Sequence, residues 1–178
     1  EQDYHKRQTC GSCNGSDFKT ILDLGIVPLA GYFPSEDQMG VESKYPLSLL
    51  VCTDCKLTQT DSVINPKLLF EDYRYLSSVG LTNHFTEVAN ILDEKYDVSG
   101  KTILEIGCND GVLLEPLSKL GAKVEGVDPA GNVVKLATDK GLKVYNDYFN
   151  EHTFGTDEFK NKYSLVISNN TFAHIIDI

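Results

Sequence analysis

Two glycines and three acids in the second half of the chain have the spacing of a site for a nucleoside-containing ligand. The segment from Glu105 to Gly111 reads E-I-G-C-N-D-G and lies between an apolar run and a helical pattern. Gly107 and Gly111 permit a tight turn that a ligand can approach closely, and the following helix offers free backbone amides. Asp128 ends the next apolar run, 21 residues after Gly107. A carboxylate there can accept both ribose hydroxyls of a nucleoside.

The same turn departs from the pattern of a dinucleotide-binding fold. A pyrophosphate requires G-x-G-x-x-G, whereas this register holds Asn109 and Asp110, and an acidic side chain there would repel phosphate. S-adenosylmethionine carries a sulfonium and an amino-acid tail but no phosphate, so amide and acidic groups suit it better. Glu105 adds negative charge near the cationic end of such a ligand. The turn therefore favours S-adenosylmethionine, and a strand-to-helix turn without a ligand is the alternative.

Four of the five cysteines form two C-x-x-C pairs, separated by 38 residues that must fold between them. Each pair can present two sulfurs to one ion, which predicts a single tetrahedral zinc site. Protein ligands fill all four positions, so the zinc is predicted to be structural. The first pair lies in a turn-rich segment rather than at the start of a helix, which argues against a redox pair. Two unrelated turns are the other alternative. The predicted ligands are Cys10, Cys13, Cys52 and Cys55.

Alternating strands and helices are predicted from Lys101 onward, and they would position the glycine turn. This alternation implies right-handed crossovers and a parallel sheet with helices on both faces, as in a Rossmann-like α/β fold. The predicted strands are 102–106, 123–127, 142–145 and 164–168, and the predicted helices are 112–120, 132–140 and a short one at 154–160.

The first hundred residues divide into two further parts. Residues 1–62 are rich in turns, and their apolar runs are too short for a self-sufficient core. Residues 63–100 are predicted to be helical, with Asn83 as the cap and Gly100 closing the segment. One helical face carries Phe85, Val88, Ala89 and Leu92. We expect a zinc-binding domain at 1–62, a helical linker or lid at 63–100, and half of a cofactor domain at 101–178.

The composition excludes several classes of partner. The formal charge of −10 argues against nucleic acid, because such binding depends on clustered lysine and arginine. It argues equally against an anionic membrane surface. No stretch approaches the ~20 apolar residues of a membrane span, and the first residues lack an apolar signal core. The chain is therefore predicted to be cytoplasmic.

Several segments together resemble one enzyme family. E-I-G-C-N-D-G-V-L-L is followed by G-V-D-P-A-G-N and later by S-N-N-T-F-A-H-I, while L-D-L-G-I-V-P-L-A and Y-R-Y-L-S-S occur earlier. This set resembles the C-methyltransferases that act on nucleotide-linked keto-deoxysugars. The resemblance implies a partial Rossmann-like class I methyltransferase sheet with an N-terminal zinc-binding domain. It also implies a small-molecule nucleotide-sugar substrate.

The resemblance implies roles for individual residues. Asp147, Tyr148 and Phe149 match the family's adenine-contacting segment, for which core packing of the two rings is the alternative. Tyr73, Tyr75, Ser77 and Ser78 match a tyrosine-serine segment that closes over cofactor or sugar, unless they only pack an amphipathic helix. The predicted cofactor contacts are Glu105, Gly107, Asn109, Gly111, Asp128, Pro129, Asp147, Tyr148, Phe149 and Asn169.

Methylation of a carbon beside a ketone requires a base and stabilisation of an enolate. His174 follows the last predicted strand and is the candidate for substrate contact or proton handling, with a histidine that only bonds the backbone as the alternative.

The chain ends after four strands where the family's sheet has seven, so we expect an incomplete fragment that is inactive alone. Its open sheet edge could pair with another chain. An O- or N-methyltransferase and a non-catalytic zinc-stabilised binding module are the competing functions.

Overall fold

The computed structural model describes residues 2–31, 33–71 and 73–175. The chain divides into two compact units, which are Glu1–Leu69 with Ile175–Ile178, and Phe70–His174. None of the helices in the described ranges is both long and apolar enough to cross a bilayer.

The first unit is built from short antiparallel sheets. β1 (Tyr4–Lys6) pairs with β5 (Ser62–Ile64), while β2 (Phe18–Pro28), β3 (Lys44–Cys52) and β4 (Thr58–Thr60) form a three-stranded sheet in that order. A 3-10 helix at Glu36–Gln38 lies between β2 and β3, and α1 (Pro66–Phe70) follows β5. The 38 residues between the cysteine pairs thus form most of a hairpin, which the short apolar runs had not indicated.

Little of this unit is buried. Among its described residues the buried apolar side chains are Cys10, Tyr45, Cys52 and Val63. The apolar residues of β2 are largely exposed, with Ile26 at 70% of its maximal surface. The burial agrees with the expectation that residues 1–62 lack a self-sufficient core.

The second unit is a parallel α/β sheet. Its elements are α2 (Ser78–Tyr96), β6 (Thr102–Ile106), α3 (Leu114–Lys119), β7 (Lys123–Val127), α4 (Gly131–Asp139), β8 (Lys143–Tyr145), α5 (Glu151–Phe154) and β9 (Leu165–Ser168), followed by a 3-10 helix at Phe172–His174. The strand order is β8-β7-β6-β9, and every pair is parallel. The predicted α/β class and parallel sheet are therefore confirmed. Because the chain moves outward through β7 and β8 and then returns beside β6, the order reverses between β6 and β9. Ligands of open α/β folds bind beside such a reversal.

The core of this unit lies between the sheet and α2 and α3. Phe85 and Ala89 of α2 are buried there, and Val88 and Leu92 pack against the same cluster. The predicted apolar face of α2 is thus present because these four residues fall on one side of the helix.

Three local predictions were wrong. Asn83 is not a helix cap, because α2 begins five residues earlier and is kinked at Val79 and Gly80. Gly100 does not close the helix, since α2 ends at Tyr96 with Asp97 in the left-handed conformation. The last short helix lies at Glu151–Phe154, where the Asn150 side chain accepts a bond from the Thr153 amide and so caps it.

Candidate cofactor site and metal centre

The glycine turn connects β6 to α3 at the carboxyl end of the sheet. Gly107 and Gly111 have φ values of 71° and 77°, which favour glycine because a Cβ is disfavoured there. A Cβ on Gly107 would collide with the Thr171 side chain, and one on Gly111 with Leu142. The turn thus needs glycine at both positions for conformation and for packing against neighbouring loops.

Three buried carboxylates surround the turn. Glu105 is 3% exposed, Asp110 1% and Asp128 8%, and none of them forms a salt bridge with a residue in the described ranges. Lys140 donates to the main-chain oxygen of Asp110, at 2.8 Å, rather than to its carboxylate. One oxygen of Glu105 and one of Asp110 are buried without a hydrogen-bond partner. Unpaired buried acceptors are unfavourable, so the site is suited to a ligand that brings positive charge or hydrogen-bond donors.

The electrostatics agree with this arrangement. Burial raises the pKa of Glu105 to about 8, opposed by the bond from Asn169 and reinforced by the charges of Asp128 and Asp110. The amide of Asn169 donates to Glu105 at 3.3 Å. Burial also raises the pKa of Asp128, against the bonds from the Ala130 and Asn109 amides. A cation bound here would lower both pKa values.

Asp128 is held in place by the backbone. Its two carboxylate oxygens accept from the Asn109 amide at 2.9 Å and the Ala130 amide at 3.0 Å. Asn146 donates to the main-chain oxygens of Asp128 and Pro129, both at 3.0 Å. The turn after β7 is therefore fixed from two sides, and each oxygen of Asp128 retains capacity for a further bond. No local pattern pointed to Asn146, because its partners lie 17 and 18 residues away.

A surface cavity of about 390 Å³ lies beside this turn. The cavity has the size of a small-molecule site. The hydroxyl of Tyr148 is buried without a partner, and burial, with the nearby charge of Glu71, raises its pKa to about 12. Asp147 uses both oxygens within its own loop, accepting from the Tyr148 amide and the Thr153 hydroxyl. The residues lining the cavity are Glu71, Pro129, Gly131, Asn146, Asp147 and Tyr148.

Phe149 does not line this cavity. Its ring is partly exposed and lies 5.1 Å from the ring of Phe154, measured between centroids. The structure thus gives Phe149 a packing contact.

The tyrosine-serine segment, residues 73–78, lies against the glycine turn. The Asn109 side chain donates to the Tyr75 carbonyl at 2.9 Å and accepts from the Ser77 amide at 3.1 Å. Asp110 accepts from the Ser78 amide at 3.2 Å. The side chains of Asn109 and Asp110 therefore hold protein backbone, a role that the sequence pattern did not indicate.

His174 lies close to an aromatic neighbour of this segment. Its exposed ring is 5.7 Å from the ring of Phe70, which is 6.4 Å from the ring of Tyr73. The His174 backbone amide donates to Thr171 at 2.9 Å. Burial raises the pKa of Tyr73, and the charges of Asp128 and Tyr75 raise it further. His174, Tyr73 and Tyr75 thus lie on the same side of the second unit as Asp128.

The four paired cysteines converge in the first unit. Their sulfur atoms all lie within 4.8 Å of one another, and the Cys10–Cys55 and Cys13–Cys52 distances are both 3.6 Å. Four thiolates about 2.3 Å from one zinc ion would be separated by about 3.8 Å in a regular tetrahedron. The sulfurs therefore fit a four-thiolate zinc site, with no position left for a catalytic water.

The two C-x-x-C turns, called knuckles below, have the same backbone hydrogen bonds and conformation. In each, the first cysteine donates to the carbonyl five residues later and accepts from the amide four residues later, at distances of 2.8 to 3.0 Å. The residue after the second cysteine is left-handed in both, with φ of 60° at Asn14 and 68° at Lys56. Each turn thus presents its two sulfurs in the same way.

The four thiols influence one another's ionisation. Hydrogen bonds from the amides of Cys13 and Ser12 lower the pKa of the Cys10 thiol to about 6. The Gly15 amide acts in the same direction on Cys13, but its thiol neighbours, Cys55 first, and burial raise the Cys13 pKa to about 12. Four thiols this close cannot all ionise without a positive ion among them.

Comparison with known proteins agrees with both sites. Residues 10–70 match a family described as a zinc binding domain, and residues 80–178 match one described as a methyltransferase domain. The C-methyltransferase NovU of Streptomyces niveus is 32% identical over 176 residues, which are 95% of this chain. A ubiquinone biosynthesis O-methyltransferase of a Methylobacterium species is 33% identical over 85 residues, or 46% of this chain. The chain spans 41% and 33% of the lengths of these two relatives.

Among solved structures, the magnesium protoporphyrin IX methyltransferase of Synechocystis with bound S-adenosylmethionine is 22% identical, with a TM-score of 0.43. The match covers 55% of this chain and 48% of that one. The methyltransferase-domain match alone extends over more than half of the 178 residues. This chain belongs to the methyltransferase-domain family and carries a zinc-binding domain before that domain.

Proposed function

We propose that the second unit binds S-adenosylmethionine at the carboxyl ends of β6 and β7, as part of a methyltransferase. The observation that carries this proposal is the group of three buried carboxylates, Glu105, Asp110 and Asp128, without a salt-bridge partner among the described residues. Such a site favours a sulfonium and an ammonium group and disfavours a pyrophosphate. When bound, the cofactor supplies an electrophilic methyl group.

Each end of the site suits a different part of this ligand. Asp128, with its oxygens held by two amides, would accept the ribose hydroxyls. Glu105 and Asn169, which are bonded to each other, would lie toward the cationic part. We assign the adenine to the cavity beside Pro129, where Tyr148 offers a ring and an unpaired hydroxyl. The remaining proposed contacts are Gly107, Asn109, Gly111, Asp147 and Phe149.

The preferred reaction is C-methylation of a nucleotide-linked keto-deoxysugar through an enolate. The sequence resemblance supports it, as does the similarity to a C-methyltransferase along 95% of the chain. His174 and the tyrosine-serine segment would contact the sugar or move a proton. Self-association through the edge strand β9, where Val166 is half exposed, and a cytoplasmic location stay predictions.

O-methylation of another small molecule is the second candidate. It is favoured by the similarity of 46% and 55% of the chain to two ubiquinone biosynthesis O-methyltransferases. An O-methyltransferase does not need to remove a proton from carbon. Exchange of a substrate C–H for deuterium by the full-length enzyme in heavy water would support the first reaction, and methylation without such exchange the second.

Calorimetry with S-adenosylmethionine and S-adenosylhomocysteine tests cofactor binding. Asp128→Ala should weaken both ligands about ten- to a hundredfold, because a charged acceptor of two hydroxyls is lost. The matched control is Asp139→Ala, which removes an exposed carboxylate paired with Lys135 on α4 and should leave both affinities unchanged. Failure of the wild-type chain to bind either ligand would contradict the proposal and favour a non-catalytic binding module.

A further inference from the structure

Two asparagine side chains on other elements bond the backbone of the tyrosine-serine segment. From Tyr73 to Leu76 the backbone is outside any helix or strand. Among the described residues, Asn132 on α4 bonds the backbone of Tyr73, Asn109 on the glycine turn bonds that of Tyr75, and the Leu76 carbonyl accepts from the Val79 amide. Backbone without regular structure is ordered only when such bonds offset its conformational entropy.

The Asn132 side chain bonds the backbone of Tyr73 through an acceptor and a donor, as the backbone of a neighbouring β-strand would. Its side-chain oxygen accepts from the Tyr73 amide at 3.3 Å, and its side-chain nitrogen donates to the Tyr73 carbonyl at 2.7 Å. One amide side chain thus bonds both the backbone amide and the backbone carbonyl of Tyr73. Residues 73 and 132 are 59 positions apart, so no local pattern connects them.

Asn109 connects the same segment to the proposed ribose-binding acid. Its backbone amide donates to Asp128, while its side chain bonds the Tyr75 carbonyl and the Ser77 amide. Asn109 is therefore bonded both to Asp128 and to the segment. Asn132 follows Asp128 by four residues and lies in the first turn of α4. One attachment thus starts from the glycine turn and the other from the beginning of the helix that follows Asp128.

We propose that Asn132 is a positioning residue, which clamps Tyr73 so that the tyrosine-serine segment is held at the rim of the cofactor site. The proposal rests on the proposed function for the identity of the ligand, but the clamp itself does not depend on it. The rings of Tyr73 and Tyr75 are neighbours, with centroids 6.5 Å apart. Bound S-adenosylmethionine should order the segment further through Asp128 and Asn109.

Hydrogen exchange of the Tyr73, Ser77 and Ser78 amides measures the clamp directly. Asn132→Ala should accelerate exchange at Tyr73 by about tenfold, because two hydrogen bonds are removed. Asn132→Asp keeps the acceptor but places a carboxylate against the Tyr73 carbonyl, and should be at least as damaging. Lys135→Ala, on the same helix and exposed, is the control and should leave all three amides unchanged.

A merely structural role for Asn132 predicts a different pattern. It would accelerate exchange along α4 and lower the thermal midpoint, with no selective effect on residues 73–78. We expect the opposite, together with about fivefold to tenfold weaker S-adenosylmethionine binding in Asn132→Ala. Unchanged exchange at Tyr73 in Asn132→Ala would overturn the clamp.

The same experiment separates the two proposals. If the wild type binds no S-adenosylmethionine but Asn132→Ala still releases Tyr73, the clamp stands and the proposed function fails. If S-adenosylmethionine binds in a manner that depends on Asp128 but does not slow exchange in residues 73–78, the proposed function stands and the positioning role is wrong.

Discussion

Different interactions stabilise the inside of each of the two compact units. In Phe70–His174 a cluster of buried apolar side chains joins α2 and α3 to the sheet. In Glu1–Leu69 the described buried apolar residues are few, and two of them, Cys10 and Cys52, belong to the cysteine cluster. A small sheet that buries little apolar surface is marginal without a metal or a disulfide. The comparison implies that one unit depends on an ion and the other on its own core.

Removing the metal should have the largest effect, because it should unfold the first unit and leave the second unit folded. Cys52→Ser, or a strong chelator, should abolish the slow hydrogen exchange of β2 and β3, because zinc binding supplies the folding free energy of such modules. Exchange in β6 and β7 should not change. Metal analysis should find about one zinc per wild-type chain.

Cys108→Ala is the matched control for the cysteine change. Cys108 is buried beside Gly126 in the second unit and is remote in sequence from both knuckles. This variant should keep its zinc. Faster hydrogen exchange in β6 after chelation would show that the stability of the second unit depends on the metal of the first.

The free energy of unfolding of the second unit should fall as the pH rises from about 4.5 to 8. The folded pKa of Glu105 is about 8, above its ordinary value of 4.5, so the folded state binds more protons between these values. Its stabilisation is complete below about pH 4.5 and is lost as the pH rises through 8, a decrease on the order of 5 kcal/mol. Glu105→Gln should flatten this slope in urea unfolding followed by exchange at β6.

The control for this slope is Glu115→Gln. Glu115 is partly exposed and paired with Lys119, which lowers its pKa, so its neutralisation should leave the fall between pH 5 and 8 intact. An unchanged slope in Glu105→Gln would assign the pH dependence to other groups.

Matched leucine truncations compare the two units directly. Leu113 is completely buried in the core cluster, and Leu113→Ala should cost about 3 kcal/mol of unfolding free energy. Leu22 of β2 is 49% exposed, and Leu22→Ala should cost less than about 1 kcal/mol. Equal losses in denaturant titrations would mean that β2 is covered in solution.

The smallest predicted effect lies in the second knuckle. Lys56 is left-handed with φ of 68°, at the place that Asn14 occupies in the first knuckle. Lys56→Gly should stabilise the first unit by about 0.5 to 1 kcal/mol, because glycine adopts this conformation without a steric penalty. The measurement is the thermal midpoint of the zinc-loaded chain, with Lys56→Ala, which removes the same side chain but keeps the Cβ, as the control. A lower midpoint in Lys56→Gly would contradict this account.

The features that could be predicted from the sequence are those set by local spacing. The alternation of apolar runs and helical periods predicts β6, β7, α4 and β9 to within a residue or two, because each element buries one side against the same sheet. Gly107 and Asp128 were found because strand ends in a parallel sheet meet at one edge. The cysteine pairs were found because zinc chemistry requires their spacing.

The features that could not be predicted depend on distant contacts. The side chains of Asn109 and Asp110 bond backbone 32 to 34 residues away, and Asn132 bonds backbone 59 residues away. The β2–β3 hairpin was missed because the apolar residues of β2 do not alternate between buried and exposed. Asn83 was mistaken for a cap because the kink at Gly80 hides the true start of α2.

The position of the cysteines relative to the hairpin determines how its two strands align. Cys52 is the last residue of β3 and lies opposite Phe18, the first residue of β2. A strand without alternating burial is prone to register slippage, and β2 is such a strand. A slip of even one position would carry Cys52 away from the other thiolates. A bound ion would therefore favour the observed alignment over slipped ones, and insertions in the connection between β2 and β3 should be tolerated because the alignment is set at the opposite end.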